Sequence, residues 1–132
     1  MQTMTQNRIN IILRKHEKWK NGEKRGGQAI FSHRKLDGKN FSDMDLSYVN
    51  FNDASLVGAN FKGSSLDNSI FKYADLRGAD LRGVTISLTD FREAKLDGAK
   101  MYLETRNKAY LSREQRDSII IVSDDQKEGV DA

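Results

Sequence analysis

The sequence predicts an all-β solenoid. It is a square coil of twenty residues per turn, capped at its N-terminal end by an α-helix and closed by a short helix–strand segment. Three observations carry this prediction. From Phe31 to Met101 every fifth residue is large and apolar: Phe31, Leu36, Phe41, Leu46, Phe51, Leu56, Phe61, Leu66, Phe71, Leu76, Leu81, Ile86, Phe91, Leu96 and Met101. Two residues before these stands mostly Ala or Ser, as at Ala29, Ala54, Ala59, Ser64, Ser69, Ala74, Ala79, Ala94 and Ala99. Every fourth unit repeats the last: Phe31, Phe51, Phe71 and Phe91 in one column, Leu36, Leu56, Leu76 and Leu96 in the next, with Gly38, Gly58, Gly78 and Gly98 two residues on.

A period of five fits neither a helix face nor a flat strand. It fits a coil whose units bury their apolar side only by stacking. Each unit forms one side, its large residue pointing inward and its small residue inward near the corner. Four sides close a coil, and coils stacked about 4.8 Å apart bring like residues together. The glycine column marks a turn that needs positive φ. Within this frame Arg34 and Lys39 occupy inward positions and are expected to splay outward or run beneath the cap helix, because a buried unpaired cation is costly. Met44, Val49 and Val84 are large for that position. Ser64, Ser69 and Thr89 need hydrogen-bond partners inside, namely backbone carbonyls.

Three segments follow: 1–28 a capping helix and linker, 29–103 the coil, 104–132 a C-terminal cap and tail. Residues 1 to 5 read as a loose start, with Thr3 or Thr5 as helix cap. Ile9, Ile12, Leu13, His16 and Trp19 fall on one helical face between Arg8 and Lys20, and Asn21-Gly22 ends the helix. Laid across the coil's open end, this helix would cover unpaired strand edges, with Trp19 and Ile12 as the plug. Gly26-Gly27 reads as a flexible joint. After Met101 the pattern breaks at Arg106 and returns at Ala109 and Leu111, predicting one more side. Ser112-Arg113-Glu114-Gln115 is a capping box opening a helix to about Ser118. Ile119-Ile120-Ile121-Val122 reads as a strand that either closes the end or pairs with a second copy. From Ser123 on, the polar tail is expected to fray.

The units, clearest in Ala74-Asp75-Leu76-Arg77-Gly78 and Ala79-Asp80-Leu81-Arg82-Gly83, resemble the pentapeptide repeat family over residues 29 to 103. The resemblance implies a right-handed quadrilateral β-helix. The lead-in, a basic helix with His and Trp followed by Gly-Gly, is similar to that of short bacterial and phage members. By that likeness the expected function is a non-enzymatic protein-binding scaffold that inhibits or shields a host enzyme. Other members are acidic rods, dimerised end to end, that occupy the DNA groove of gyrase. A DNA-mimic modulator of gyrase or another DNA-processing enzyme is therefore the alternative.

The residues themselves offer no chemistry. There is no Cys, hence no disulfide or thiol. Neither a metal-ligand spacing, a phosphate loop nor a nucleophile elbow occurs. His16 on an apolar helix face reads as a packed residue. No catalytic residue, metal, cofactor or small-molecule substrate is expected. No run approaches the roughly 20 apolar residues that span a bilayer. Ile9 to Leu13 is too short for a signal-peptide core. Absence of membrane association and a cytoplasmic location are the expectations.

Surfaces remain. Tyr48, Ile70, Tyr73, Leu88 and Val57 point outward, and Lys72, Arg77, Arg82 and Arg92 follow the large residue. Tyr48, Tyr73 and Leu88, with Arg77 and Arg82, are the candidate partner-binding residues. Ile119, Ile120, Ile121 and Val122 are the candidate homodimer strand. Charge separates the alternatives. Residues 31–103 carry ten basic and ten acidic groups, a neutral coil under four turns long. Both facts count against an extended acidic mimic. Residues 1–30 carry seven basic groups and two acidic. Six of the basic groups lie between Arg14 and Arg25, so direct nucleic-acid binding by the basic helix is a second alternative.

Overall fold

The computed structural model describes residues 2–123. The coil is built from single-residue parallel pairings repeated at a spacing of twenty. Ile30 pairs with Asn50, Asn50 with Ile70 and Ile70 with Asp90; Lys35, Ser55, Asp75 and Lys95 form a second series. Each side ties to the next coil through its backbone. The Phe31 N–H donates to the Asn50 carbonyl at 2.7 Å and the Asn50 N–H to the Ala29 carbonyl at 3.1 Å. Corners are closed within the unit, the Arg34 N–H donating to the Phe31 carbonyl and Ala54 to Phe51.

Every corner from residue 33 to residue 98 has positive φ at the position two after the large residue, whether or not glycine stands there. The glycine column is the visible part of a rule that all four columns obey. A third residue with positive φ, closed by the 4→1 hydrogen bond, fits a type II turn. The polar residue before the large one has an equally local job. Asp75, Asp80 and Asp90 accept the N–H of Arg77, Arg82 and Arg92, as Asn50 and Asn60 accept those of Asn52 and Lys62. These side chains satisfy backbone donors that the ladder leaves over.

All the large residues from Phe31 to Met101 are buried except Ile86, which is half-buried. Phe31, Phe51, Phe71 and Phe91 stack face to face with centroids 5.4, 4.8 and 5.4 Å apart, and Phe41 lies 5.1 Å from Phe61. Arg34 is exposed and Lys39 half-buried at the edge of the first coil. Ser64 donates to the Phe41 carbonyl, and Ser69 and Thr89 both donate to that of Leu66, at 2.5 and 2.7 Å.

The N-terminal cap differs from the expectation in three respects. The start is not loose: Thr3 pairs with Lys35, the Met4 N–H donates to the Lys35 carbonyl, and Met4 is buried. α1 (Gln6–Lys20) is capped by Thr5, whose side chain accepts from the Arg8 N–H. Trp19 does not plug the coil. It is 40 % exposed and stacks on His16 at 5.3 Å, while Ile9 and Met4 fill the end and Ile12 and Leu13 pack against it. Gly26-Gly27 is no free joint. A Cβ on Gly26 would stand 2.4 Å from the Trp19 backbone nitrogen, and the Gly27 N–H donates to the Lys15 carbonyl. The helix lies so close to the linker that only glycine fits at residue 26.

Side chains of α1 take the place of a missing coil. The Gln6 amide receives the Asn40 N–H and donates to the Asn40 carbonyl, at 2.9 and 2.8 Å. His16 does the same one side on, accepting the Ala29 N–H at Nδ1 (2.9 Å) and donating from Nε2 to the Ser47 carbonyl (2.7 Å). Lys20 reaches Asp45 at 2.6 Å and Glu17 at 3.3 Å.

That last contact carries a pH dependence. Burial raises the Asp45 carboxyl, but hydrogen bonds from Lys20 and Ser47 outweigh it and hold the group at about 2, below its ordinary 3.8. A depressed carboxylate contributes stability above pH 4 that is lost as pH falls through about 2. The side chain is 55 % exposed, so screening limits the contribution to under about 1 kcal/mol. Asp45→Asn is expected to be less stable than the parent at pH 6, with the gap in urea midpoints closing by pH 2. A gap unchanged across that range would show that the pair does not hold the cap.

The C-terminal end keeps the twenty-residue pitch while changing its elements. β1 (Lys100–Tyr102) pairs in parallel with β2 (Ile120–Val122), Lys100 opposite Ile120 and Tyr102 opposite Val122. Between them α2 (Leu103–Lys108) interrupts the coil, Ala109 is buried and Leu111 packs against the core where a further side was expected, and α3 (Arg113–Ser118) opens on the predicted capping box of Ser112 and Gln115. Gln115 also donates to the Phe91 and Ala94 carbonyls, at 2.8 and 2.9 Å. Ala94 corresponds to Ala54 and Ala74, whose carbonyls take the N–H groups of Asp75 and Lys95 in the next coil. The Gln115 side chain supplies the donor that a helix withdraws. The candidate dimer strand thus pairs within its own chain. Ile119 is buried, Val122 half-buried, and Ile120 and Ile121 exposed. The expected fraying beyond Ser123 lies outside the described residues.

Candidate functional site

The proposed partner-binding residues do not share one face. Arg77 and Arg82 stand on two further sides of the coil, and each binds the aspartate two residues before it at 2.7 Å. The Arg77 guanidinium, by hydrogen bond, holds the Asp75 carboxyl below its ordinary range. At Asp80 burial works the other way and the bond from Arg82 overcomes it. These arginines neutralise the aspartates that close the coil's own turns. Tyr48 shares a column with Leu88, but Asn68 lies between them, two coils apart in all.

Leu88 and Tyr73 are brought together by Tyr110, which the sequence reading missed. Tyr110 is 81 % exposed, Leu88 72 % and Tyr73 56 %. Lys72, Tyr73, Arg92, Glu93, Tyr110 and Gln115 line a groove of about 560 Å³. Ile86, Leu88, Thr105, Lys108 and Tyr110 line a second of about 550 Å³. A smaller hollow shared by Leu88, Arg92 and Tyr110 joins them. The second groove has a local cause. α2 covers the last coil where a strand would otherwise pair, and a helix presents no strand edge, so space remains between 84–88 and 104–108. No repeat register extends to Tyr110, and the sequence therefore carries no signal of where its ring lands.

The backbone under this patch is unusual. Asp43, Asp53, Asn68 and His33 belong to residue types that enter the left-handed region more readily. Four corner residues do not: Tyr48, Tyr73, Leu88 and Glu93, at φ 65, 63, 57 and 61°. Three of these line the two grooves. A left-handed residue with a Cβ costs about 1–2 kcal/mol. Leu88→Gly is therefore expected to leave the protein as stable or raise its stability by up to about 1 kcal/mol, after the greater chain entropy of glycine is allowed for. Thermal melts of the Gly and Ala variants check this. A Gly variant less stable than the parent would mean that the Leu88 side chain contributes to folding, and one less stable than the Ala variant would mean that the left-handed corner carries no strain.

Among the described residues no group of His, Asp and Glu is placed to hold a metal, and no helix is long and apolar enough to cross a membrane. His16 is engaged at both ring nitrogens.

A coil of twenty residues with four inward columns and parallel pairing between successive coils defines a solenoid. The chain belongs to the pentapeptide repeat family: eight copies of the repeat match, over residues 28–63, 45–83 and 69–102. The right-handed quadrilateral β-helix is the fold of this family, whose members are generally non-catalytic. Among solved structures it is similar to the pentapeptide repeat protein Rfr23 from the cyanobacterium Cyanothece 51142. That match has 29% identity and a TM-score of 0.43, over 59% of this chain and 50% of that one. It is also similar to a pentapeptide repeat protein from Nostoc PCC 7120, with 21% identity and a TM-score of 0.36, over 83% and 94% of the two chains. A third match is a pentapeptide repeat protein of the Arabidopsis thaliana thylakoid lumen, with 22% identity and a TM-score of 0.32, over 66% and 68%. The chain thus spans half the length of Rfr23. A search of curated proteins gave no match.

Proposed function

We propose that this protein is a non-enzymatic scaffold in the cytoplasm that binds a protein partner through the face formed by Leu88, Tyr110 and Tyr73. The observation that supports the reading is the placement of exposed apolar side chains on left-handed corners, where glycine would serve the fold better. Strained positions that hold large exposed residues point to selection for something other than stability. Aromatic anchors beside open grooves suit a protein surface. Inhibition or shielding of a host enzyme is the form this binding takes in our reading.

The groove-filling, DNA-mimic alternative needs columns of unpaired anions. Asp75, Asp80 and Asp90 are each held by an arginine, which gives it no support. The test is affinity capture from nuclease-treated bacterial lysate by the protein and by a Leu88→Gly/Tyr73→Gly/Tyr110→Ala variant. Recovery of one stoichiometric protein, lost in the variant, is expected. Equal recovery by both would move the site elsewhere, and recovery of gyrase subunits would restore the alternative. The exposed Ile120 and Ile121 on the last strand favour a second contact, with another copy of the chain. A monomeric light-scattering mass would remove it.

A further inference from the structure

Three arginines of the coil are neutralised locally. In the coil, Arg77, Arg82 and Arg92 each bind an aspartate two residues earlier, at 2.7, 2.7 and 2.8 Å. On the outer side of α1 the arrangement is different. Arg8, Arg14, Lys15 and Lys18 are exposed on the outer side of α1, and among the described residues none of them forms an ion pair. Lys20, which the sequence groups with them, is turned inward to Asp45 and Glu17. Glu17 is thereby the carboxylate that Lys20 neutralises, and the first turn of α1 carries no acid.

Geometry makes these four a surface. Ile9 and His16 bury the inner side of α1 against the coil. Arg8, Ile11, Lys15 and Lys18, at spacing i, i+3, i+7 and i+10, share the opposite side, with Arg14 one turn before Lys18. Arg8, Ile11, Ile12 and Lys15 line a shallow groove of about 510 Å³. Lys24 and Arg25 in the linker, and Arg34 and Lys35 on the first coil, are exposed at the same end.

We propose that the outer face of α1 binds the phosphate backbone of a nucleic acid, at the end of the molecule opposite the Tyr110 face. Ten residues of helix span about 15 Å. Over that length a duplex presents roughly nine phosphate charges, enough for every cation on the face. An anionic membrane is the less fitting partner. An interfacial helix needs its apolar side free, and here that side is packed on the coil, leaving Ile11 and Trp19 as the exposed apolar residues of α1. Binding of this kind is independent of sequence, because phosphates carry no base information.

The test is fluorescence anisotropy of a labelled duplex of about 20 base pairs with the whole protein, between about 50 and 200 mM salt. Four phosphate contacts predict a log–log salt slope of about −3.6. Arg14→Gln/Lys18→Gln is expected to lower the slope by about 2, and the quadruple variant with Arg8→Gln and Lys15→Gln to weaken binding at least about tenfold. Among the described residues none of the four side chains has an ion pair to lose, and the helical circular dichroism of each variant checks the fold. Arg77→Gln/Arg82→Gln/Arg92→Gln removes nearly as much charge from the coil and is expected to leave binding in place. Absence of duplex binding at 50 mM salt would overturn the proposal. So would an equal loss in the coil variant, or binding to phosphatidylserine vesicles without binding to duplex. The Leu88, Tyr73 and Tyr110 variant keeps the duplex affinity if the two surfaces are independent.

Discussion

His16→Phe is expected to lower the unfolding free energy by about 1–3 kcal/mol, the cost of leaving the buried Ala29 N–H without a partner, with a smaller further loss at the half-buried Ser47 carbonyl. Phe keeps the ring that stacks on Trp19 but removes both nitrogens. The Ala29 N–H then has no acceptor and the Ser47 carbonyl no donor. The arrangement also assigns the tautomer. Nδ1 receives the Ala29 N–H, so the proton that reaches the Ser47 carbonyl is on Nε2. His16→Gln keeps one donor and one acceptor, as Gln6 does over Asn40, and is expected to recover part of the loss. Urea unfolding of the three proteins checks the order. A Phe variant within about 1 kcal/mol of the parent would mean that water satisfies the coil's edge without the histidine.

Phe51→Ala is expected to cost about 3–5 kcal/mol. Phe51 lies between Phe31 and Phe71 in its own column, at 5.4 and 4.8 Å, and meets Phe41 and Phe61 edge-on at 5.4 and 5.7 Å. Rigid pairing of the coils above and below limits collapse into the space left behind. Phe91, at the end of the column, touches one ring, Phe71, and Phe91→Ala is expected to cost less. In a solenoid each unit is held by its neighbours, so stability falls with the number of neighbours lost. Equal losses at the two positions would show that the stack is not what stabilises the coil.

Reading Phe31 to Met101 as a coil needed no three-dimensional information, because each residue's direction is set by its place in its own unit. The twenty-residue period, the glycine corners, the outward turn of Arg34 and the carbonyl partners of Ser69 and Thr89 follow from that local rule. So does the Ser112–Gln115 box, whose partners are three residues apart. What the repeat does not encode, the sequence could not show. Trp19 was expected inside because it shares a helical face with Ile12. The close approach of Gly26 to the Trp19 backbone leaves the ring outside instead, stacked on His16.

The positive φ of Tyr48, Tyr73 and Leu88 was hidden for a related reason. Glycine announces a left-handed corner, whereas a bulky residue in the same conformation gives no sign of it. The surfaces that carry function were decided still further from local rules. Tyr110 meets Leu88 because α2 breaks the coil and returns the chain beside residue 88. Lys20 leaves the basic face because Asp45, distant in sequence, lies within 2.6 Å. Sequence alone determined the repeating backbone, where each five-residue unit makes the same bonds as the next. Tertiary structure decided the two ends and the exposed faces, where the repeat stops and the partners of each side chain are set by how the chain folds back on itself.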